Sequence, residues 1–289
     1  MDIFAPAKIN LHLAVKNRRS DGFHDIESVF LALNWGDRLF FDCDAAEETL
    51  FIRGYGEESS PLSATDNIIL RALALFREKT GFSRKVKITL EKHIPIGGGL
   101  GGGSSDAAAA LLALNRIAAS PLRKDDLLEM GAALGSDVPF FLYETPAAWV
   151  TGRGERIEPI DAPQMFLTLV NPGFPSNTAE AFRLLDEHRD AKTLTPPLHV
   201  FESASSLLVP PSLYVENFQN DFLEVFKERE KSIYNKICYS LRELGAVFAG
   251  LSGSGSTCFG IFEEKEHSEK AAETLRCDWS FVHCCNSKV

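Results

Sequence analysis

The sequence predicts an α+β chain of two domains, and three observations predict it. The first is period-two patterning near the N-terminus: Ile9, Leu11, Leu13 and Val15 alternate with Lys8, Asn10, His12 and Ala14, as in a half-buried strand. The second is a strand, a glycine run and a helix in direct succession across residues 85–114. The third is a shift in composition at residues 159–163, followed by a separate set of apolar strands and helices. A chain of 289 residues has ample length for one or two domains with a real core. The division is therefore drawn between 1–158 and 159–289.

Taken in order, the strand over residues 3–15 puts Lys8 and Asn10 side by side on one face, which is also what a solvent-facing edge would show. Arg18-Arg19-Ser20-Asp21-Gly22-Phe23-His24 is a turn, with Asp21-Gly22 as its hairpin signal. Its aromatic and imidazole are suited to clamp a planar ring, or simply decorate a hairpin tip. Residues 29–33, 38–43 and 50–53 read as further strands, and 57–65 as a polar loop. Thr65 or Asp66 caps a helix over 67–79 with Ile68, Ile69, Ala72, Leu73 and Phe76 on one stripe. Gly81 stops it.

Val86, Ile88 and Leu90 alternate with Lys87, Thr89 and Glu91, giving a strand that runs into Pro95-Ile96-Gly97-Gly98-Gly99-Leu100-Gly101-Gly102-Gly103-Ser104-Ser105-Asp106. Six glycines in nine residues carry a large backbone-entropy cost on folding, which calls for a reason. The alanine- and leucine-rich stretch that follows is a helix, with Ser104 or Ser105 as its N-cap. Bare amides and a helix N-terminus converge there, an arrangement made for an anion. A dinucleotide fingerprint would need a second parallel strand ending in an acid about 20 residues on, and the helix here breaks at Ser120-Pro121 with no strand before it. A P-loop would need a lysine before the serine. A nucleoside-triphosphate cradle built of backbone remains, against a structural turn or linker.

A second helix spans 122–134 and ends at Gly135, in C′ position. Asp137 then precedes Val138-Pro139-Phe140-Phe141, where it could act as an N-cap. Residues 149–160 form a hairpin around Gly152-Arg153-Gly154, and 164–170 a strand. Asn177 and Glu180 have capping-box spacing for a helix through 185. Residues 191–211 are proline-rich and irregular. Helices near 218–226 and 232–244 precede a second small-residue loop, Gly250-Leu251-Ser252-Gly253-Ser254-Gly255-Ser256, which is a tight bend or one wall of a site between domains. A strand at 258–262, a helix at 265–275 and a short strand at 281–283 complete the chain.

Composition narrows the function classes. Apolar content of 45% and charged content of 24% are those of a globular domain. A net charge of -10, from 40 acids against 30 bases, argues against binding nucleic acid or an anionic membrane. No apolar run approaches the 18 or so residues of a membrane span, and no leader is evident. The six cysteines show no metal-ligand spacing and no disulfide framework, which places the protein in a reducing cytoplasm.

Pro6-Ala7-Lys8-Ile9-Asn10-Leu11, the run from Pro95 to Ser105, and Gly250 to Ser256 together resemble, in order, the three signature regions of the GHMP kinase superfamily. Asp21-Gly22-Phe23-His24 and Leu134-Gly135-Ser136-Asp137-Val138-Pro139-Phe140-Phe141 narrow the resemblance to the branch acting on 4-diphosphocytidyl-2-C-methyl-D-erythritol in non-mevalonate isoprenoid synthesis. The resemblance spans nearly the whole chain. It departs at Phe23, where the branch often has Tyr, and residues 193–211 find no match. It implies a ribosomal-protein-S5-like N-terminal domain, the ATP-binding one, and a ferredoxin-like C-terminal domain, with the site in the cleft between them. It further implies transfer of the ATP γ-phosphoryl to the substrate's 2-hydroxyl. The ATP loop would be Pro95, Ile96, Gly97, Gly98, Gly99, Leu100, Gly101, Gly102, Gly103, Ser104 and Ser105, with Asn67 and Lys92 at the adenosine. Ser105 would touch Mg²⁺. Asp137 would be the catalytic acid group and Lys8 the catalytic lysine. Asn10 would contact the substrate near the reacting hydroxyl, and Phe23 and His24 the cytosine. The expected partner is thus a small molecule carrying a cytidine diphosphate, handled by a monomer or weak homodimer. An ATP-binding relative that is not a kinase, and a dinucleotide-dependent oxidoreductase, stay open beside it.

Overall fold

Two long strands, β1 (Asp2–Arg18) and β2 (His24–Asp42), pair as an antiparallel hairpin at the centre of the molecule. The structure is a computed structural model describing residues 1–54, 57–61, 67–192 and 218–288. The strand β2 is unbroken where the side-chain pattern divides it into two. Gly36 lies flat against the backbone of Ala5 and Pro6, so Asp37 and Gly36 keep their pairing with β1, and residues 33–35 bulge opposite Ala7 before pairing resumes at Ala32.

Around this hairpin a seven-stranded sheet forms in the order β4-β3-β5-β2-β6-β7, with β1 on β2. Its other members are β3 (Thr49–Gly54), β4 (Glu57–Pro61), β5 (Lys87–Lys92), β6 (Ala147–Thr151) and β7 (Arg156–Ile160). The strand β4 stands where a loop is expected: its polar sequence hides a backbone ladder to β3. A second, antiparallel sheet has the order β11-β8-β10-β9, from β8 (Phe166–Asn171), β9 (Phe248–Leu251), β10 (Cys258–Phe262) and β11 (Phe281–Asn286). The expected division at 158/159 falls inside β7, whose Pro159 and Ile160 still pair with Ala148 and Ala147.

Helices α1 (Ile68–Thr80), α2 (Gly102–Ile117), α3 (Lys124–Leu134) and α4 (Val138–Tyr143) cover one face of the first sheet. Phe76, Leu111, Leu114 and Phe140 bury there against Phe30 and Leu39. The other face of β1 and β2 presents Ile9, Leu11, Val29 and Leu31 to Leu167, Leu169, Phe259 and Ile261 of the second sheet. Helices α5 (Thr178–Lys192), α6 (Glu228–Glu243) and α7 (Lys265–Leu275) belong to the second half; Tyr234 and Ile237 of α6 and Ala271 and Leu275 of α7 close that sheet's outer face. The order is helices, sheet, sheet, helices. Burying each such Leu, Ile or Phe contributes roughly 1.5–3 kcal/mol.

Strict alternation along β1 fails in an informative way. Ala5, Leu13 and Val15 face the helices, whereas Ala7, Ile9 and Leu11 face the second sheet. Register shifts mark both switches: between Pro6 and Lys8 the β2 residues 33–35 stand opposite Ala7 alone, and between Asn10 and His12 β1 carries one extra residue, irregularities that re-aim side chains between the two faces of a strand. Lys8 and Asn10 lie between the shifts and point toward the helix side.

Elsewhere the helix of 67–79 is Ile68–Thr80, capped by Asn67, whose Oδ1 accepts from Ile69 N at 2.8 Å; Thr65 and Asp66 lie outside the described residues, as do 193–217. The helix expected at 218–226 is one 3-10 turn, Asp221–Glu224, because the Asp221 carboxylate is taken by Val15 N and Arg189, both at 2.8 Å. The helix from Asn177 runs on to Lys192. Gly135 ends α3 with extended backbone at φ 178°, not in the left-handed form. Among the described residues no helix is long and apolar enough to cross a membrane.

Candidate active site

A cleft of about 1090 Å³ runs along the helix side of β1, past the glycine loop to Asn67. The loop joins β5 to α2. The α2 N-cap is Gly101, with φ +70° and no side-chain cap; Ser104 and Ser105 lie inside the first turn instead. The initial N–H groups of a helix have no partner within it, so an uncapped, glycine-lined start leaves the positive end of α2 available to an anion. Four successive carbonyls of the loop are engaged: Gly97 O by Ser176 N, Gly98 O by Thr257 N, Gly99 O by the Ser252 hydroxyl and Leu100 O by Lys8 N, at 2.8–3.1 Å. In a trans peptide the following N–H points the other way, which turns the amides of Gly99, Leu100 and Gly101, residues that line the cleft, away from these partners. Two glycines are dictated by contact as well as by φ. A Cβ at Gly99 would sit 2.1 Å from Ser252 O, and one at Gly101 would sit 2.9 Å from Lys8 Cγ.

Beneath the loop, Lys8 is almost wholly buried. Its Nζ donates to Asn10 Oδ1 at 2.6 Å, stands 3.3 Å from Asp137 Oδ2 and lies 4.5 Å above the Phe30 ring. Asp137 occupies the N-cap position of α4 but makes no capping bond, so its carboxylate is left for Lys8 and the cleft. Asn10 is tied at both ends: its Nδ2 donates to Ser28 Oγ at 2.9 Å and its N–H to Ser252 Oγ at 3.2 Å. Asn10 thus holds Lys8, beyond any contact with a substrate.

Ser105, expected at the metal, does not line this cleft. Its Oγ is buried without a partner, and the residue lines a separate 220 Å³ pocket behind α2 with Phe140 and Phe141. Successive helix residues differ by about 100°, and it is Ser104 that faces the cleft.

Asn67 and Lys92 also line the cleft, but the Lys92 ammonium is already engaged. It lies 2.5 Å from Asp37 Oδ2 and 2.7 Å from Asp106 Oδ2, with all three groups buried. Burial alone would lower the Lys92 pKa, but the two carboxylates raise it. Burial pushes Asp106 up to about 7 against the pull of Lys92. Asp37 Oδ1 accepts from His93 N and Ile94 N at 2.6 and 2.9 Å, fixing the approach to the glycine loop, while Asp106 Oδ1 has no partner. Neither acid was singled out from sequence, although an aspartate inside the alanine-rich face of α2 was the available signal.

At the opposite end, His24 is buried and stacks on Phe182, with centroids 5.0 Å apart at 15°. Its Nε2 lies 2.8 Å from Asp186 Oδ1. Phe23 is 50% exposed, and the Arg153 guanidinium covers its ring at 4.8 Å. Phe182 and Asp186 were also missed; their i, i+4 spacing puts them on one face of α5.

Comparison with known proteins places this geometry. The family model described as GHMP kinases N terminal domain matches residues 67–145, and GHMP kinases C terminal matches 215–280. A 4-diphosphocytidyl-2-C-methyl-D-erythritol kinase of Xanthomonas axonopodis pv. citri is 36% identical over 94% of this chain and 85% of its own. The enzyme of that name from Chlorobium phaeobacteroides is 38% identical over 96% of this chain and 94% of its own. A crystal structure of 4-(cytidine 5'-diphospho)-2C-methyl-D-erythritol kinase superposes with a TM-score of 0.78 at 30% identity, covering 100% of both chains. Mevalonate kinase of Methanococcus jannaschii, at 14% identity and TM-score 0.68, shares the fold. The chain therefore belongs to the GHMP kinases, in the family of the 4-diphosphocytidyl-2-C-methyl-D-erythritol kinases.

Proposed function

We propose that this chain transfers the γ-phosphoryl of ATP to the 2-hydroxyl of 4-diphosphocytidyl-2-C-methyl-D-erythritol, the kinase step of non-mevalonate isoprenoid synthesis. The observation that carries it is the Asn10–Lys8–Asp137 chain lying under an uncapped helix N-terminus in one cleft. Phosphoryl transfer depends mostly on positioning and charge neutralisation. The loop amides and the end of α2 grip the triphosphate. Asp137 accepts the hydroxyl proton at hydrogen-bond range. Lys8, fixed by Asn10, holds that carboxylate in place and offsets negative charge as the alkoxide develops. Phe23, His24 and Phe182 receive the cytosine, which excludes acceptors without a base. Asn67 and the Lys92 region flank the adenosine.

Mg²⁺ fits this donor set as a guest of the phosphates. Among the described residues no group of three or more His, Cys, Asp or Glu could hold a metal alone, whereas the Ser104 hydroxyl and Asp137 both line the cleft. When bound, the ion neutralises phosphate charge. The reading also carries a cytoplasmic enzyme, monomeric or weakly dimeric and without nucleic-acid or membrane partners. The net charge of -10 and six free thiols support it.

Asp137→Asn tests the assignment. Titration calorimetry should find ATP binding retained, while turnover with the cytidine-diphosphate acceptor falls about 10²–10⁴-fold. Full activity in that variant removes Asp137 as the base. A wild-type protein that phosphorylates mevalonate or homoserine but not this acceptor overturns the substrate.

A further inference from the structure

The cleft is lined by five basic side chains, Lys8, Arg18, Lys92, Arg153 and Arg183. Three are matched by carboxylates: Lys8 by Asp137, Lys92 by Asp37 and Asp106, and Arg183 by Glu180 and Glu187. Among the described residues, Arg18 and Arg153 are the two that form no ion pair. Arg153 is also the more firmly placed. It sits in the turn between β6 and β7, which Gly152 and Gly154 close with φ of +70° and +123°. Its N–H donates to Glu155 Oε2 at 2.6 Å, and Gly152 O accepts from Ile26 N at 2.7 Å, docking the turn on the start of β2. Its guanidinium lies 4.8 Å over the Phe23 ring, a contact that holds the planar group; the carboxylate that feels its charge, Asp21, is ion-paired to Arg19 instead.

The position of that turn matters as much as its charge. On one side it touches Phe23. On the other, Gly154 packs so closely on Ser136, the neighbour of Asp137, that a Cβ there would lie 3.1 Å from Ser136 Cβ. An acceptor with its base at Phe23 and His24 and its reacting hydroxyl at Asp137 has its diphosphate between them, alongside this turn. We infer that Arg153 binds the diphosphate of the acceptor, with Phe23 serving as the shelf that keeps the guanidinium extended over the cleft. The inference rests on the cytidine-diphosphate reading above and adds to it the cation that recognises the bridge between base and sugar alcohol. A planar fork of N–H donors suits a diphosphate better than a point charge does.

Calorimetric titration of the whole protein with cytidine diphosphate and with cytidine tests it. Wild type should bind cytidine diphosphate more tightly than cytidine, and the preference should shrink as salt rises. Arg153→Met keeps an apolar chain over Phe23 and removes the charge. It should weaken cytidine diphosphate about tenfold or more, as loss of a charge-assisted hydrogen bond does, and leave cytidine unchanged. Arg153→Lys should recover part of the loss. Equal weakening of both ligands would mean that Arg153 only supports the ring, and no weakening of either would mean that it does not contact the ligand; both overturn the inference. If wild type binds neither ligand, the substrate reading itself fails, which is a different outcome.

Discussion

Replacing Lys92 by Met should do more damage than any other single change in the cleft. The substitution keeps a chain of similar length and removes the one ammonium between Asp37 and Asp106. Those carboxylates are 0% and 3% exposed, and both take an oxygen to Lys92, at 2.5 and 2.7 Å. Removing one partner of a buried ion pair costs roughly 3–5 kcal/mol, because a charge is left buried and uncompensated. At roughly 2 °C per kcal/mol for a chain of this size, the melting temperature should fall by about 6–10 °C. The two acids are not equally exposed to the loss. Asp37 retains two backbone N–H donors, whereas Asp106 Oδ1 has none. Adding Asp106→Asn should therefore recover a large part of the deficit. The assay is thermal melting by circular dichroism at neutral pH for wild type, single variant and double variant. A Lys92→Met protein melting within a degree of wild type, or a double variant no better than the single, would refute the reasoning.

Two further outcomes follow from the same geometry. The Asp106 carboxyl is raised to about 7 in the folded protein from an ordinary value of 3.8, so its contribution to stability is complete below pH 4 and is lost as pH rises toward 7. The melting temperature of Asp106→Asn relative to wild type should accordingly climb between about pH 4 and pH 7; a flat difference would show that burial does not hold the proton there. Gly101→Ala forces a side chain into left-handed backbone and against Lys8 and Phe141, a cost of about 1–2 kcal/mol from the backbone alone. Steady-state kinetics should show kcat falling as Lys8 is displaced, and an unchanged kcat would argue that Lys8 has no part in transfer.

Local signals carried most of the strands and some of the caps, whereas the caps of α1 and α2 are Asn67 and Gly101. Gly81 ends α1 in left-handed form as its position implies, and Asn177 caps α5 through Glu180 N at 3.1 Å. The hairpin at Gly152–Gly154 and the strand–glycine–helix succession were equally legible, since each depends on neighbours in sequence. The GHMP fold followed from motif order. What was not legible depends on partners far along the chain. The switches of face in β1 come from register shifts against β2, which no side-chain pattern reports. Ser105 could not be told from Ser104 until the helix start was fixed at Gly101. Asp37 and Lys92 are 55 residues apart, and Phe182 reaches His24 from α5, far along the chain. Such meetings are set by how sheets and helices stack, not by spacing.

The stitching of the glycine loop to the second half bears on how the molecule is built as a machine. Ser176, Ser252 and Thr257 grip three successive carbonyls of that loop, while Leu13 and Leu33 bridge to Asn220 and Ser287 across the same boundary. A severed N-terminal half would keep every residue of the glycine loop and lose the mould that shapes it. The two halves are therefore a single mechanical part, and neither can be exchanged with a relative's without carrying along the seam.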